Sequence, residues 1–157
     1  MRLRYVYGQD ELISRFVAAL VPHVDDNGWQ HAVSMGVIDE EGKLIAGVVW
    51  YNYSRAFGHI EVGAAATSPH WFTRETIRRL YGYPFDELGC QLVLHVTPAT
   101  DNDRVKRILA GLGCYFVEVP RLFGRARDGV VAGLTEEVWR NSKLGRRLAQ
   151  VAQQEAA

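Results

Sequence analysis

Residues 61–74 read Glu61-Val62-Gly63-Ala64-Ala65-Ala66-Thr67-Ser68-Pro69-His70-Trp71-Phe72-Thr73-Arg74. They pass from a strand pattern, through a tight turn, into the start of a helix. A helix N-terminus leaves backbone N–H groups unpaired and carries partial positive charge. A strand that feeds directly into such an end makes a site for an anionic group such as a pyrophosphate. Arg74, Arg78 and Arg79 add cations over the first turns. The run of small side chains from Gly63 to Ala66 lets another backbone come close, whether that of a packed helix or of a ligand.

Upstream of this stretch the pattern is that of strands and turns. Residues 2–7 alternate and are rich in strand formers, so they form a first strand. Gln9-Asp10-Glu11 opens a helix, with Leu12, Phe16, Ala19 and Leu20 at helical spacing and Pro22 closing it. Residues 31–38 and 44–53 are two strands joined by Asp39-Glu40-Glu41-Gly42-Lys43, which is turn chemistry. His59 to Ala65 is the third strand of this meander.

Downstream the period changes. Thr73 to Leu88 is a helix, with Ile77, Leu80 and Tyr81 on one face, a kink expected at Pro84 and a stop at Gly89. Residues 91–96 form a short buried strand. Asp103 to Leu112 is a helix with Val105, Ile108, Leu109 and Leu112 on one face and Gly113 as its stop. Tyr115 to Val119 and Val130 to Leu134 read as a last strand pair, and a C-terminal helix begins at Thr135-Glu136-Glu137. The expectation is a mixed α/β (α+β) sheet of order β-α-β-β-β-α-β-α-β-β plus a C-terminal helix.

The chain has 157 residues, 48% hydrophobic and 23% charged, enough for one domain with a proper core. Lysine plus arginine equals aspartate plus glutamate, 18 each, so a surface built for nucleic acid or anionic membrane is not expected. Cys90 and Cys114 have neither metal-ligand spacing nor the count of a disulfide framework, so no metal is expected. Residues 1–5 lack the apolar stretch of a signal peptide, and no apolar run approaches a membrane span. A cytoplasmic protein is the expectation.

The order of elements and three stretches resemble the GNAT N-acetyltransferases, especially the branch holding ribosomal-protein N-acetyltransferases and phage-encoded relatives. Glu61 to Ala66 looks like that family's fourth strand. Tyr83-Pro84-Phe85-Asp86-Glu87-Leu88-Gly89-Cys90 looks like the end of its third helix. Thr97 to Cys114, with Asn102 and the closing Leu112-Gly113-Cys114, resembles its Asn-containing fourth helix. The resemblance covers roughly residues 33–139 and implies acetyl-CoA as cosubstrate and an amine acceptor. It places the pantetheine arm along Val62, Gly63, Ala64 and Ala65, and the pyrophosphate over Trp71, Phe72, Thr73 and Arg74. Asn102 and Arg107, with Arg104 beside it, are further cofactor contacts. The chain departs from the family at one point. The usual phosphate loop is glycine-rich, and here no glycine lies between Ser68 and Thr73. A catalytically silent binding or regulatory protein of the same fold is therefore the alternative reading.

Direct acetyl transfer needs a base for the ammonium proton and donors for the thioester, but no nucleophile on the protein. Glu61 is the candidate base, at the start of the fourth strand. His59 lies two residues earlier, on the same face, and shares that candidacy. The helix Asp103–Leu112 offers neither Tyr nor Ser, so the acid stays unassigned. Tyr115 reads as strand filler. A thiol of pKa about 8.5 leaves adequately with a water proton. Acceptor choice falls to Val21–Gln30, with Asp25, Asp26 and Trp29, and to Arg121–Asp128, with Arg121, Arg125 and Arg127. The domain is expected over residues 1–139. Residues 140–157 form a helical tail, with Leu144, Leu148, Val151 and Ala152 at helical spacing, suited to packing on the body or to a homodimer.

Overall fold

A computed structural model describes all residues except 22, 23, 25–28, 30, 101, 146–153, 155 and 157. The seven strands are β1 (Arg4–Val6), β2 (Val33–Ile38), β3 (Leu44–Ser54), β4 (His59–Ala66), β5 (Leu92–Pro98), β6 (Tyr115–Val119) and β7 (Gly129–Thr135). They form one sheet in the order β1-β2-β3-β4-β5-β7-β6. Among the described residues four helices accompany it: α1 (Asp10–Leu20), α2 (Arg74–Gly82), α3 (Asp103–Leu112) and α4 (Glu136–Asn141). The mixed fold expected from the sequence is the one observed. Among the described residues no helix is long and apolar enough to cross a membrane.

The sheet has two cores. On one side Ile13 and Val17 of α1 pack on Val49. Their approach is close because Gly36 and Gly47 pair across β2 and β3. A Cβ on Gly36 would lie 2.7 Å from the Ile13 side chain, and one on Gly47 would lie 2.6 Å from Val17. On the other side Ile77, Leu80 and Tyr81 of α2 join Leu109 of α3, Trp139 of α4 and Met35, Val48, Trp50, Ile60 and Val62 of the sheet. Trp139 of α4 lies among Tyr81 and Phe85, at centroid distances of 5.0 and 6.4 Å. Leu144 packs against the same core. The rest of the expected tail pattern, Leu148, Val151 and Ala152, lies outside the described residues, as does Pro22.

Pro84 does not simply kink the helix. After Gly82 the turn widens into a π-helical segment, Tyr83–Glu87, closed by the Leu88 N–H on the Tyr83 carbonyl at 3.0 Å. Pro84 has no N–H to give the carbonyl four residues back, that of Leu80. That carbonyl instead accepts from Trp50 Nε1 at 3.1 Å, a fully buried bond. A side chain of β3 thus fills the gap that a proline opens in the helix, and the exchange fixes α2 to the sheet.

Trp50→Phe removes the donor and leaves a buried carbonyl unpaired. Its unfolding free energy in urea is expected to fall by about 1–3 kcal/mol. Pro84→Ala supplies an amide four residues after Leu80, so in the double variant part of that loss is recovered. Strictly additive losses would show that the Trp50 bond does not answer the proline.

Candidate active site

The site begins where the parallel pair of β4 and β5 ends. β4 and β5 pair through three residues, His59↔Leu92, Ile60↔Val93 and Glu61↔Leu94. Beyond that point the strands separate. Val62 to Ala66 keep their β3 partners, from Trp50 to Ala46, and His95 to Pro98 keep their β7 partners. Neither set pairs with the other, so β4 presents an open backbone edge to the gap. The gap is a cleft of about 700 Å³, lined by Val62 to Pro69 on one wall and by His95 to Pro98 on the other, with the α2 and α3 faces as further walls. Its closed end is the Glu61–Leu94 pair, and its mouth lies at the ends of both strands.

Seven of the residues expected to hold the cofactor line this cleft: Val62, Gly63, Ala64, Ala65, Trp71, Phe72 and Asn102. Thr73, Arg74 and Arg107 do not line it. Thr73 caps α2, its hydroxyl accepting from the Thr76 N–H at 3.2 Å. Arg74 is exposed, and Arg107 turns back along α3, Nε donating to the Asp103 carbonyl. Asn102 does not cap α3 with its side chain. Its Nδ2 donates to the Pro98 and Thr100 carbonyls, at 3.2 and 3.1 Å, and pins the turn between β5 and α3.

The turn from β4 to α2 is rigid for reasons that glycine would not supply. Pro69–Trp71 is one 3₁₀ turn. The buried Thr76 hydroxyl donates to the Trp71 carbonyl at 2.6 Å and lies 2.9 Å from the Tyr5 hydroxyl. Trp71 and Phe72 pack against each other with tilted rings, 5.3 Å between centroids and 57° between planes, and partly against the main core. Arg78 and Arg79 both pair with Glu75, and Arg79 also stacks 4.4 Å over Tyr5 and donates to the Tyr7 hydroxyl. They tie α2 together and to β1. The cations that do line the cleft come from its other wall: Arg104, on the first turn of α3, and Arg127, in the β6–β7 loop. No ion pair holds either one among the described residues.

At the closed end, on the α1 side of the sheet, Tyr51 stands directly across from Glu61. A bulge between Tyr51 and Ser54 puts Asn52 at φ +50°, and its Nδ2 donates to Glu61 Oε2. Trp29 stacks on Tyr51 with centroids 5.2 Å apart and overlies Gly63. Burial, then the Glu61 charge, pushes the Tyr51 phenol up to about 12, against a bond from the Trp29 side chain. Trp29, Tyr51 and Gly63 line the cleft, whereas Glu61 stands just past its closed end. His59 is one pleat further out; its Nδ1 is buried without a partner and does not meet the cleft. Asp25 and Asp26 lie outside the described residues. Cys90 and Cys114 are buried and unbonded, and burial raises Cys114 to about 11.

A pair that the sequence pattern does not announce completes the cleft. His95 is the first β5 residue beyond the last β4–β5 pair, and its Nε2 lies 3.0 Å from the hydroxyl of Tyr81 on α2. Both side chains line the cleft. Burial raises the Tyr81 phenol well above its ordinary value, with the neighbouring Cys114 adding to the rise, and lowers His95 to about 4. Both groups are neutral at neutral pH. The short buried strand read over residues 91–96 places a histidine there but cannot show what faces it.

No family model and no curated protein sequence matches this chain. Solved structures do. Mutant forms of the spermidine/spermine N-acetyltransferase SpeG of Vibrio cholerae superpose over 89% of this chain and 98% of theirs, with TM-score 0.71 and 15% identity. A GCN5-related N-acetyltransferase of Brucella melitensis superposes over 73% of this chain and 55% of its own, with TM-score 0.62 and 22% identity. The dodecameric spermidine N-acetyltransferase of Vibrio cholerae gives TM-score 0.69 at 15% identity, over 88% of this chain and 96% of its own. At such identities the likeness establishes a shared fold, the mixed sheet of the GNAT acetyltransferases.

The neutral His95 has a measurable cost in acid. Its folded pKa, about 4, lies below the 6.5 of an exposed imidazole, so the unfolded chain binds the extra proton between those values. The stability His95 contributes is complete above about pH 6.5 and is lost as pH falls toward 4. Unfolding free energy measured from pH 7 to 4 is expected to drop by up to about 3 kcal/mol on this account. His95→Gln should remove that part of the slope. An unchanged slope in the variant would place the acid sensitivity elsewhere.

Proposed function

We propose that this protein transfers the acetyl group of acetyl-CoA to a primary amine by direct attack, inside the cleft between β4 and β5. The observation that carries the reading is the open β4 edge from Val62 to Ala66, lined by small side chains and running toward a mouth that holds Arg104 and Arg127. An extended arm bearing amides can pair with such an edge as a further strand would. The mouth cations suit phosphates, and arginine binds them bidentately. Thr73 does not take the first-turn amides of Arg74 and Glu75, but neither residue lines the cleft. Phosphate recognition is therefore placed on side chains of the far wall, where the family norm relies on a glycine loop.

The residues also divide the chemistry. The cosubstrate supplies a thioester as acyl donor. Trp29 and Tyr51 form an aromatic wall at the closed end with the Glu61 carboxylate behind it, a surface suited to an alkylammonium ion. Glu61 takes the ammonium proton, directly or through one water, and Asn52 holds the carboxylate in place. Tyr51, raised to about 12, keeps its proton and acts as a hydrogen-bonding group rather than a base. The transfer forms one N–C bond and breaks one C–S bond, the electron pair leaving on sulfur and taking a proton from water. His59 has no place in this scheme beyond the closed end.

The acceptor is a primary amine of a protein, a peptide or a small molecule. Resemblance to ribosomal-protein acetyltransferases favours a peptide amine, and likeness to spermidine acetyltransferases favours a polyamine. The half-buried Glu61 serves either. The silent alternative keeps the same cleft, with Trp71 and Phe72 filling space that glycines leave open.

Calorimetric titration tests the reading. Acetyl-CoA is expected to bind in the micromolar range, and Arg104→Ala and Arg127→Ala should each weaken it about tenfold. Glu61→Gln should retain that affinity while kcat with an amine acceptor falls about 100-fold. No heat of binding at millimolar acetyl-CoA would overturn the proposal. Tight binding without turnover on peptide or polyamine amines would select the silent alternative.

A further inference from the structure

The buried pair at the closed end has a fixed direction. The Tyr81 hydroxyl is enclosed, the residue being 1% exposed, and His95 Nε2 is its one hydrogen-bond partner among the described residues. A phenol O–H buried without an acceptor costs about 1–3 kcal/mol, so the hydroxyl donates and Nε2 accepts. The ring of a neutral histidine has a single N–H, and the nitrogen that accepts cannot carry it. The proton is therefore on Nδ1. Nδ1 bonds no protein group among the described residues, and it is not among the atoms buried without a partner, in contrast to Nδ1 of His59. Nδ1 thus keeps access to solvent, and the residue lines the cleft.

The place of this N–H matters as much as its direction. His95 follows directly on Leu94, the last β5 residue paired with β4, and so sits where the cleft closes. The cationic groups Arg104 and Arg127 are at the other end. A thioester on an arm with an anionic head, held with that head at the mouth, has its reacting carbon and sulfur at the closed end.

We propose that His95 is a catalytic residue of this cleft, its Nδ1–H donating a hydrogen bond to the thioester as negative charge develops there, and that Tyr81 is the positioning residue that fixes the tautomer. The inference rests on the acetyl-transfer reading. As the amine nitrogen bonds to the carbonyl carbon, the π pair moves to oxygen; as that pair returns, the C–S pair leaves on sulfur. His95 keeps its proton throughout and supplies a preorganised dipole, of the kind worth about 100-fold in rate in comparable sites. This gives the thioester a fixed hydrogen-bond donor, while the departing sulfur still takes its proton from water.

Two measurements test it. Histidine ¹⁵N NMR of the protein alone, at neutral pH, should show His95 as the neutral Nδ1–H tautomer, and Tyr81→Phe should release it to a mixture or to Nε2–H. A His95 found in the Nε2–H form overturns the inference whatever the activity. In steady-state kinetics His95→Gln, which places its amide at the ε position, should lower kcat about 100-fold with KM for acetyl-CoA within about threefold. His95→Asn, whose amide nitrogen can occupy the Nδ1 position, should recover a substantial part of kcat. Equal losses in both variants would mean that histidine acts through packing, and unchanged kcat in His95→Gln would remove it from the reaction. If wild-type protein binds no acetyl-CoA, both this inference and the function on which it rests fall. If wild type binds and turns over and only the His95 results fail, the inference alone falls.

Discussion

Everything in the site depends on β4 and β5 parting after three paired residues. Parallel strands that stayed together through Ala66 and Pro98 would bond each other's backbone and leave no cleft. The sequence of β4 allows the separation. Gly63, Ala64, Ala65 and Ala66 give little apolar surface that must be covered from the β5 side, whereas Ile60 and Val62, at 2% and 3% exposure, anchor the near end in the core. β5 is held away by its own seven-residue pairing with β7, from Leu92↔Thr135 to Pro98↔Gly129. The unpaired edge of β4 is costly unless water or a ligand bonds it. An open edge inside a concave wall is thus a feature that a ligand backbone satisfies.

The second requirement is that the walls stay apart, and polar side chains meet it. Trp50 Nε1 occupies the carbonyl that Pro84 leaves free, which locks α2 to β3. The buried Thr76 hydroxyl holds the Trp71 carbonyl and meets Tyr5, so the turn into α2 is tied to β1 at the far edge of the sheet. Asn102 ties down the turn on the opposite wall. The Trp50 and Tyr5 bonds join groups far apart in the chain, whereas the Thr76–Trp71 and Asn102–Pro98 bonds are local. Together they hold the mouth open without glycines, which would be free to collapse.

This division explains what the sequence could reveal. The hairpin of 31–38 and 44–53 about the turn at Gly42, the helical face of Ile77, Leu80 and Tyr81 and the stop at Gly113 are local signals, and the observed elements follow them, with β2 starting at Val33. The small residues of β4 were legible as a place of close approach for the same reason. The partners across the cleft were not. Tyr81 reads as a core residue of a helix and His95 as a histidine in a buried strand, and only the crossing of α2 over β5 brings them to 3.0 Å. Arg127 is one of three loop arginines, and no local pattern separates it from Arg121 or Arg125. Arg79, which reads as a phosphate ligand on a first turn, is spent on Glu75, Tyr5 and Tyr7. The widened turn at Pro84 likewise depends on Trp50, which lies 34 positions earlier in the sequence.

Charge along the cleft follows one order, and that order gives the site its direction. Arg104 and Arg127 stand at the mouth, where solvent tempers the cost of an unpaired cation. Within the cleft the titratable groups are kept neutral by burial: His95 is lowered to about 4, Tyr51 is raised to about 12 and Tyr81 is raised as well. A charge left alone there would pay a large desolvation penalty, whereas fixed dipoles do not. The Glu61 carboxylate lies past the closed end, directly across from Tyr51. A ligand with an anionic head and a neutral reactive tail therefore has one favourable orientation, head at the mouth and tail at the fork. A cation has the opposite preference and is drawn to the carboxylate end. The two meet at the point where β4 and β5 begin to separate, beside His95.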